Sequence, residues 1–309
     1  MIAVLGPKGT FCDKSYEEYN KKYEAAHGKS LEPLYCPTID DVFEQLCTNE
    51  ACEYAVVPVE NMLDGYVQRT LDLLLEKNVY IVDENQVAVQ FSLLANTEKI
   101  EDIRKIYVQF KTNGQCRQFL HTLHDAEIVT TNSNMESYYK IQDEPGTAAI
   151  VPHHVIQADD VRVLAEDVTD AKGNHTRFII LRKGVLDVEN PDLEKQLEEL
   201  VSNEKGVGCR CGWHRESRGA YTGESTNPGL YHACHRPTRN PVRYPAPVVY
   251  DKRINLISIM SRPTKQSMGT YNFYIEIDCL TERLEVVVET LRQIQVYNDI
   301  KILGTYKEH

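Results

Sequence analysis

Short apolar runs that stop at glycine or proline alternate with stretches of helical spacing from Ile2 to Leu181, and no other feature limits the fold as much. Ile2–Leu5 ends at Gly6, Leu34–Cys36 at Pro37, and Tyr54–Val59 contains Pro58; between and after them Cys12–Lys22, Ile39–Cys47 and Val67–Leu75 have the apolar spacing of helices. This alternation predicts an open, mainly parallel sheet covered by helices. A second set follows: one or two strands over Tyr80–Leu94, strands at Lys105–Val108, Glu127–Thr130, Thr147–Ile150, Val161–Ala165 and Arg177–Leu181, and helices at Gly114–Leu123, Asn134–Ile141 and His153–Ala158. The expected architecture is α/β and two-lobed, like that of periplasmic-type solute receptors. Lobe one covers about 1–77 plus 170–184 and lobe two about 78–169. Open α/β sheets bind ligands beyond the carboxyl ends of their strands, so a cleft between two lobes is the expected site.

Residues 185–205 are acidic and polar and predict a linker helix. Ile254–Met260, Tyr271–Asp278 and Ile300–Tyr306 alternate as strands and Leu284–Gln293 has helical spacing, so 206–309 is expected to be a small α+β unit. A formal net charge of -12 excludes the basic footprint of a nucleic-acid binder. The nine cysteines have no repeated spacing, the N-terminus carries no signal-peptide pattern, and no run approaches the roughly 20 apolar residues of a membrane span. A cytoplasmic location without a membrane partner is the expectation.

Three segments can carry chemistry. Gly6-Pro-Lys-Gly-Thr-Phe11 joins a strand to a helix: Gly9 lets backbone approach a ligand, the helix start offers free N–H groups, and Lys8 and Thr10 add donors. A plain turn satisfies the same pattern. Pro58-Val-Glu-Asn-Met-Leu-Asp-Gly65 places Glu60 and Asn61 at a strand's end, where the Asn61 carboxamide can donate and accept, or can cap the next helix. Asn174-His-Thr-Arg-Phe178 enters an apolar strand; the planar guanidinium of Arg177 suits a carboxylate, and equally a structural ion pair between lobes.

In this order and spacing the three segments resemble the prephenate dehydratase family over residues 1 to about 184. The resemblance implies decarboxylating dehydration of prephenate to phenylpyruvate in phenylalanine biosynthesis, without a metal or other cofactor. It implies catalytic roles for Thr176, Asn61, Gln115 and Ser133, the last two through the family's Gln-Cys-Arg and Ser-Thr-Ala segments, and substrate contacts from Lys8, Gly9, Thr10, Glu60, Arg177 and Phe178. Ile254-Asn-Leu-Ile-Ser-Ile-Met-Ser-Arg-Pro263 resembles the phenylalanine-binding strand and loop of the family's ferredoxin-like ACT regulatory domain, and Asn227-Pro-Gly-Leu230 its other ligand loop. Gly229, Leu230, Ser261, Arg262 and Pro263 are the implied effector contacts, and a homodimer or homotetramer the implied assembly. The chain departs from the family at Cys12, Met62, Asn134 and Met135, where hydroxyl-bearing or small residues are usual. A non-aromatising prephenate decarboxylase and a non-catalytic two-lobed binding protein remain as alternatives.

Residues 206–249 differ in kind: they contain no lysine, aspartate, isoleucine or phenylalanine, and are rich in arginine, glycine, proline, cysteine and histidine. Cys209, Cys211, His214, His232, Cys234 and His235 fit no compact zinc spacing. The composition resembles translation of a displaced reading frame restored before Tyr250; a genuine insertion is the competing explanation. Pro237, Pro241, Pro245 and Pro247 oppose the helix that should follow Leu230, each interior proline costing ~3 kcal/mol. An incomplete regulatory domain that binds phenylalanine weakly is therefore expected.

Overall fold

The computed structural model describes residues 1–156, 162–202, 209–218, 255–265, 268, 270–279, 284–296 and 299–306. They form two compact units: Met1–Leu71 with Asn85–Phe178, and Asp72–Glu84 with Ile179–His309.

The first unit is α/β, as the alternation predicts. β1 (Ile2–Leu5) pairs in parallel with β2 (Pro33–Cys36) and β3 (Tyr54–Asn61), and a two-residue strand β4 (Gly65–Tyr66) folds back on the end of β3. Ile2, Ala3, Val4, Ala55, Val56 and Val57 are completely buried, which is why these strands read as unbroken apolar runs. α1 (Phe11–His27) starts where the Thr10 hydroxyl accepts from the Asp13 N–H and ends at Gly28, whose φ of 67° few other residues adopt; it buries Cys12, Tyr16, Tyr19 and Tyr23. α2 (Ile39–Thr48) opens on a capping box between Thr38 and Asp41 and buries Val42, Phe43 and Leu46. α3 (Gln68–Glu76) follows β4.

A separate five-stranded sheet in this unit has the order β10-β6-β9-β7-β8, formed by Arg162–Ala165, Phe91–Ala95, Thr147–Pro152, Lys105–Gln109 and Glu127–Thr131. β7 pairs in parallel with β8 and β9, whereas β6 is antiparallel to its neighbours. The single helix expected over Gly114–Leu123 is instead two, α4 (Phe110–Gln115) and α5 (Arg117–Leu120), broken at the fully buried Cys116. Each piece is capped from outside: the Gln109 side chain accepts from the Lys111 and Thr112 N–H groups, and the Asp170 carboxylate from the Gln118 N–H. α6 (Asn134–Lys140) is capped by the Ser133 hydroxyl, and of the helix expected over His153–Ala158 a single 3₁₀ turn, His153–Val155, is described.

β5 (Val79–Ala88) and β11 (His175–Lys183) each contribute residues to both units. In the second unit β12 (Cys209–Arg218), β13 (Asn255–Pro263), β14 (Thr270–Cys279) and β15 (Ile300–Tyr306) form the antiparallel order β13-β14-β12-β15, with α8 (Leu284–Gln295) between β14 and β15. That strand order is ferredoxin-like. β12 lies in the atypical segment and was not expected as a strand. It has no β-branched residue, and pairing with β14 on one edge and β15 on the other fixes its backbone. The segment after Leu230, where prolines are expected to shorten or remove a helix, lies outside the described residues. α7 (Leu193–Ser202) and α8 close a core of Leu193, Leu197, Ile275, Ile277, Val287, Val288, Leu291 and Ile302. The Lys301 ammonium donates to the Leu74 carbonyl in the last turn of α3 (2.6 Å) and to the Lys77 carbonyl just beyond it, opposing the negative end of that helix.

At Gly304, φ is 142° and the residue pairs with Ile81 of β5; an added Cβ would collide with the Ile81 backbone O and N. Backbone cannot yield as a flexible side chain can, so Gly304→Ala is expected to destabilise the second unit by about 2–4 kcal/mol. A thermal melt measures it, and an unchanged melting temperature would contradict the described β5–β15 register. Among the described residues no helix is long and apolar enough to cross a membrane.

Candidate active site

The end of β3 and the start of β11 bring two of the predicted segments together. Asn61 Oδ1 accepts from the backbone N–H of Leu63 (3.0 Å) and of Asp64 (3.1 Å), so the carboxamide cannot turn over without losing both bonds. Its Nδ2 therefore points at β11 and donates to Thr176 Oγ1 at 2.9 Å, with Asn174 Oδ1 at 3.1 Å and the His175 carbonyl at 3.3 Å alongside. Because Thr176 Oγ1 accepts from Asn61, its own O–H is left to donate elsewhere. One residue along each strand, Glu60 and Arg177 form an ion pair at 3.3 Å, with side chains 35% and 14% exposed. Phe178, the next residue of β11, is buried, 1% exposed. His175, half-buried as a residue, lies at the strand entry with its ring bonded to the Gly173 carbonyl.

The glycine loop is built around a carboxylate of its own. Gly9 has φ 85° and donates its N–H to Asp13 Oδ2 at 2.8 Å, while the Thr10 hydroxyl donates to the Leu5 carbonyl and caps α1. Lys8 is exposed. Met135 Sδ stands 2.5 Å from where a Gly9 Cβ would be, so any residue but glycine there would displace it. This contact sets the start of α6, and with it Ser133, beside the loop. The Ser133 hydroxyl accepts from the Glu136 N–H at 3.0 Å and can still donate its proton.

Gln115, at the end of α4, lines an open cavity of about 890 Å³ with Leu63, Asp64, Phe110, Lys111, Arg117 and Ile128 among its walls. Leu63 and Asp64 are the residues whose N–H groups hold Asn61, so the cavity wall and the Asn61–Thr176 pair share one loop. Asp170, also on the wall, donates its N–H to the Gln115 carbonyl at 2.8 Å while its carboxylate caps α5. The geometry thus joins Asn61, Thr176, Glu60 and Arg177 directly, sets Gly9 and Thr10 near Ser133 through Met135, and ties Gln115 to the site through the cavity wall. Among the described residues no group of His, Cys, Asp and Glu could hold a metal ion.

A family model described as prephenate dehydratase matches residues 2–185. The chain belongs to the prephenate dehydratase family. It is 28% identical over 308 residues to a bifunctional chorismate mutase/prephenate dehydratase of Aquifex aeolicus, covering 99% of this chain and 73% of that one. It is 27% identical over 305 residues to the prephenate dehydratase of Methanocaldococcus jannaschii, covering 97% and 95%. A crystal structure of prephenate dehydratase in complex with L-Phe from Arthrobacter aurescens superposes with a TM-score of 0.72 at 23% identity, covering 99% of this chain and 90% of that one. That likeness shows the shared fold.

Apart from Met135, which packs on Gly9, the departures from the usual prephenate dehydratase pattern are structurally quiet. Cys12 is buried and burial pushes its thiol up to about 12, so it replaces a hydroxyl without adding a nucleophile. Met62 is 68% exposed, and Asn134 Oδ1 accepts from the Thr112 hydroxyl at 2.8 Å. Of the effector residues, Ser261, Arg262 and Pro263 lie on β13, whereas Gly229 and Leu230 lie outside the described residues. Arg262 Nη2 donates to Asp72 Oδ1 at 2.8 Å and Lys265 to Asp72 Oδ2 at 2.7 Å. Burial alone would raise the Asp72 carboxyl, but Lys265 and Arg262 outweigh it and hold it below the usual carboxylate range. Sequence reasoning missed Asp72 and Asp170. The cap Asp170 puts on α5 comes from 52 residues away and leaves no local signal.

Proposed function

We propose that this chain catalyses the decarboxylating dehydration of prephenate to phenylpyruvate, a carbon–oxygen lyase step of phenylalanine biosynthesis, and that Thr176 assists the departure of the ring hydroxyl. The observation that carries the reading is the Asn61 amide donating to Thr176 Oγ1 at 2.9 Å. In the reaction the bond between the ring and its carboxylate breaks, CO2 leaves, and that electron pair enters the ring. The ring C–O bond breaks at the far side, and hydroxide takes a proton to leave as water. Negative charge grows on the departing oxygen, so a fixed donor aimed there lowers the barrier. An aliphatic hydroxyl is too weak an acid to give up its proton outright, so Thr176 acts as a positioned donor and the proton comes from water behind it.

The substrate's two carboxylates need cations and N–H groups. Lys111 and Arg117 on the cavity wall, and Lys8 beside the glycine loop, supply candidates. Leu63, Phe110, Leu120 and Ile128 supply apolar surface for the ring. Steady-state conversion of prephenate, followed by the appearance of phenylpyruvate, tests the assignment; retention of the ring hydroxyl in the product would favour a non-aromatising decarboxylase. The reading includes a cytoplasmic homodimer or homotetramer, a location supported by the unbridged thiols of Cys12, Cys36, Cys52 and Cys116.

Phenylalanine is the proposed effector, acting at β13. The Asp72 carboxylate occupies the Arg262 guanidinium that an amino-acid carboxylate would need, so phenylalanine is expected to bind weakly. Asp72→Asn removes the competing anion and is expected to tighten binding by on the order of tenfold in a calorimetric titration. Unchanged or weaker binding in that variant would show that Asp72 does not compete for the site.

A further inference from the structure

Asn174 is 3% exposed and stands two residues before Thr176. Its carbonyl accepts from the Val89 N–H at 2.8 Å, which fixes its backbone. Its side-chain Oδ1 accepts from Asn61 Nδ2 at 3.1 Å, while its own Nδ2 is buried without a hydrogen-bond partner among the described residues. The orientation is forced. Asn61 is locked by the Leu63 and Asp64 N–H groups and presents a donor, so a turned-over Asn174 would set an N–H against an N–H. The residue thus keeps an unmet buried donor in order to present an oxygen, and buried polar groups in that condition call for an explanation.

We propose that Asn174 is a positioning residue for the dehydration step, acting through Asn61 on the Thr176 hydroxyl. Asn61 Nδ2 has two hydrogens. One goes to Thr176 Oγ1, and the other is drawn to Asn174 Oδ1 with the His175 carbonyl sharing it. The Leu63 and Asp64 N–H groups stop the amide from turning over, but its terminal torsion is soft enough to rock, and the Asn174 oxygen limits that rocking at the Nδ2 end. With the Asn174 oxygen in place, a lone pair of Thr176 Oγ1 stays filled by Asn61 and its proton stays free to donate to the leaving group. Without it the amide rocks, and the Thr176 hydroxyl spends time donating to protein acceptors instead of the leaving group. The inference rests on the role given to Thr176 above.

The test is steady-state kinetics on the full chain with Asn174→Ala, Asn174→Leu and Asn174→Asp, alone and combined with Thr176→Ala, with a thermal melt of each. Asn174→Ala and the bulkier Asn174→Leu both lack the oxygen and should lower kcat about tenfold while KM stays within about twofold, the pattern of an interaction that matters in the transition state. Asn174→Asp keeps an oxygen facing Asn61 and should return kcat to within about threefold of the parent. In the Thr176→Ala background, removal of the Asn174 oxygen should cost less than about twofold more, because both changes act on one hydroxyl. A lowered melting temperature with parent-like kcat, or losses that multiply in full, would overturn the proposal while leaving Thr176 in its role. Parent-like kcat in Thr176→Ala itself would overturn the reading of Thr176, and this inference with it.

Discussion

Thr176→Ala is expected to lower kcat between about tenfold and a hundredfold and to leave KM within about threefold, as removal of one preorganised donor does. The hydroxyl is held by Asn61 and makes no other hydrogen bond among the described residues, so the folded state should survive. Thr176→Ser keeps the hydroxyl but gives it a freer torsion, since serine lacks the branch that stiffens threonine; it should retain most of the activity. Turnover measured as phenylpyruvate formation, with a melt on the same sample, reads both effects. An unchanged kcat in a folded Thr176→Ala protein would remove Thr176 from the mechanism.

The second large effect concerns Arg177. Its guanidinium lies 14% exposed against the Glu60 carboxylate at 3.3 Å, so the pair has lost much of its hydration. Arg177→Ala leaves Glu60 half-desolvated without this partner and is expected to destabilise the first unit by about 2–3 kcal/mol, less than for a fully buried pair. Arg177→Lys restores the charge but not the planar fork and should recover about half of that loss. Because Glu60 already engages the guanidinium, KM for prephenate in Arg177→Lys should rise less than about threefold. A tenfold rise in KM with an unchanged melting temperature would instead make Arg177 a ligand for a substrate carboxylate.

How much was legible in the sequence depended on how local the cause was. Ile2–Leu5, Tyr54–Asn61 and Thr147–Pro152 are strands buried on both faces, so their composition alone declared them. Thr10 and Ser133, which the sequence offers as a ligand donor and a catalytic residue, also cap helices through bonds to residues three positions on. The break at Cys116 was hidden, because the Asp170 cap that helps create it is distant in the chain. β12 was hidden for a related reason: its arginine-rich sequence has no strand preference, and its two neighbours impose one. At the site, the sequence placed Asn61 and Thr176 in separate motifs. The bond between them spans 115 positions, and it fills a lone pair of Thr176 Oγ1 and leaves the hydroxyl proton free to donate. The partner of Arg262, Asp72, lies 190 positions away and could not be inferred from the motif that contains the arginine.

The central claim is that this chain removes both carbon dioxide and the ring hydroxyl. Mixing the purified protein with prephenate and recording the ultraviolet spectrum of the products in alkali tests it most directly. The account predicts phenylpyruvate, formed with release of one equivalent of carbon dioxide. A non-aromatic keto acid that has kept its hydroxyl, or prephenate recovered unchanged, would contradict it.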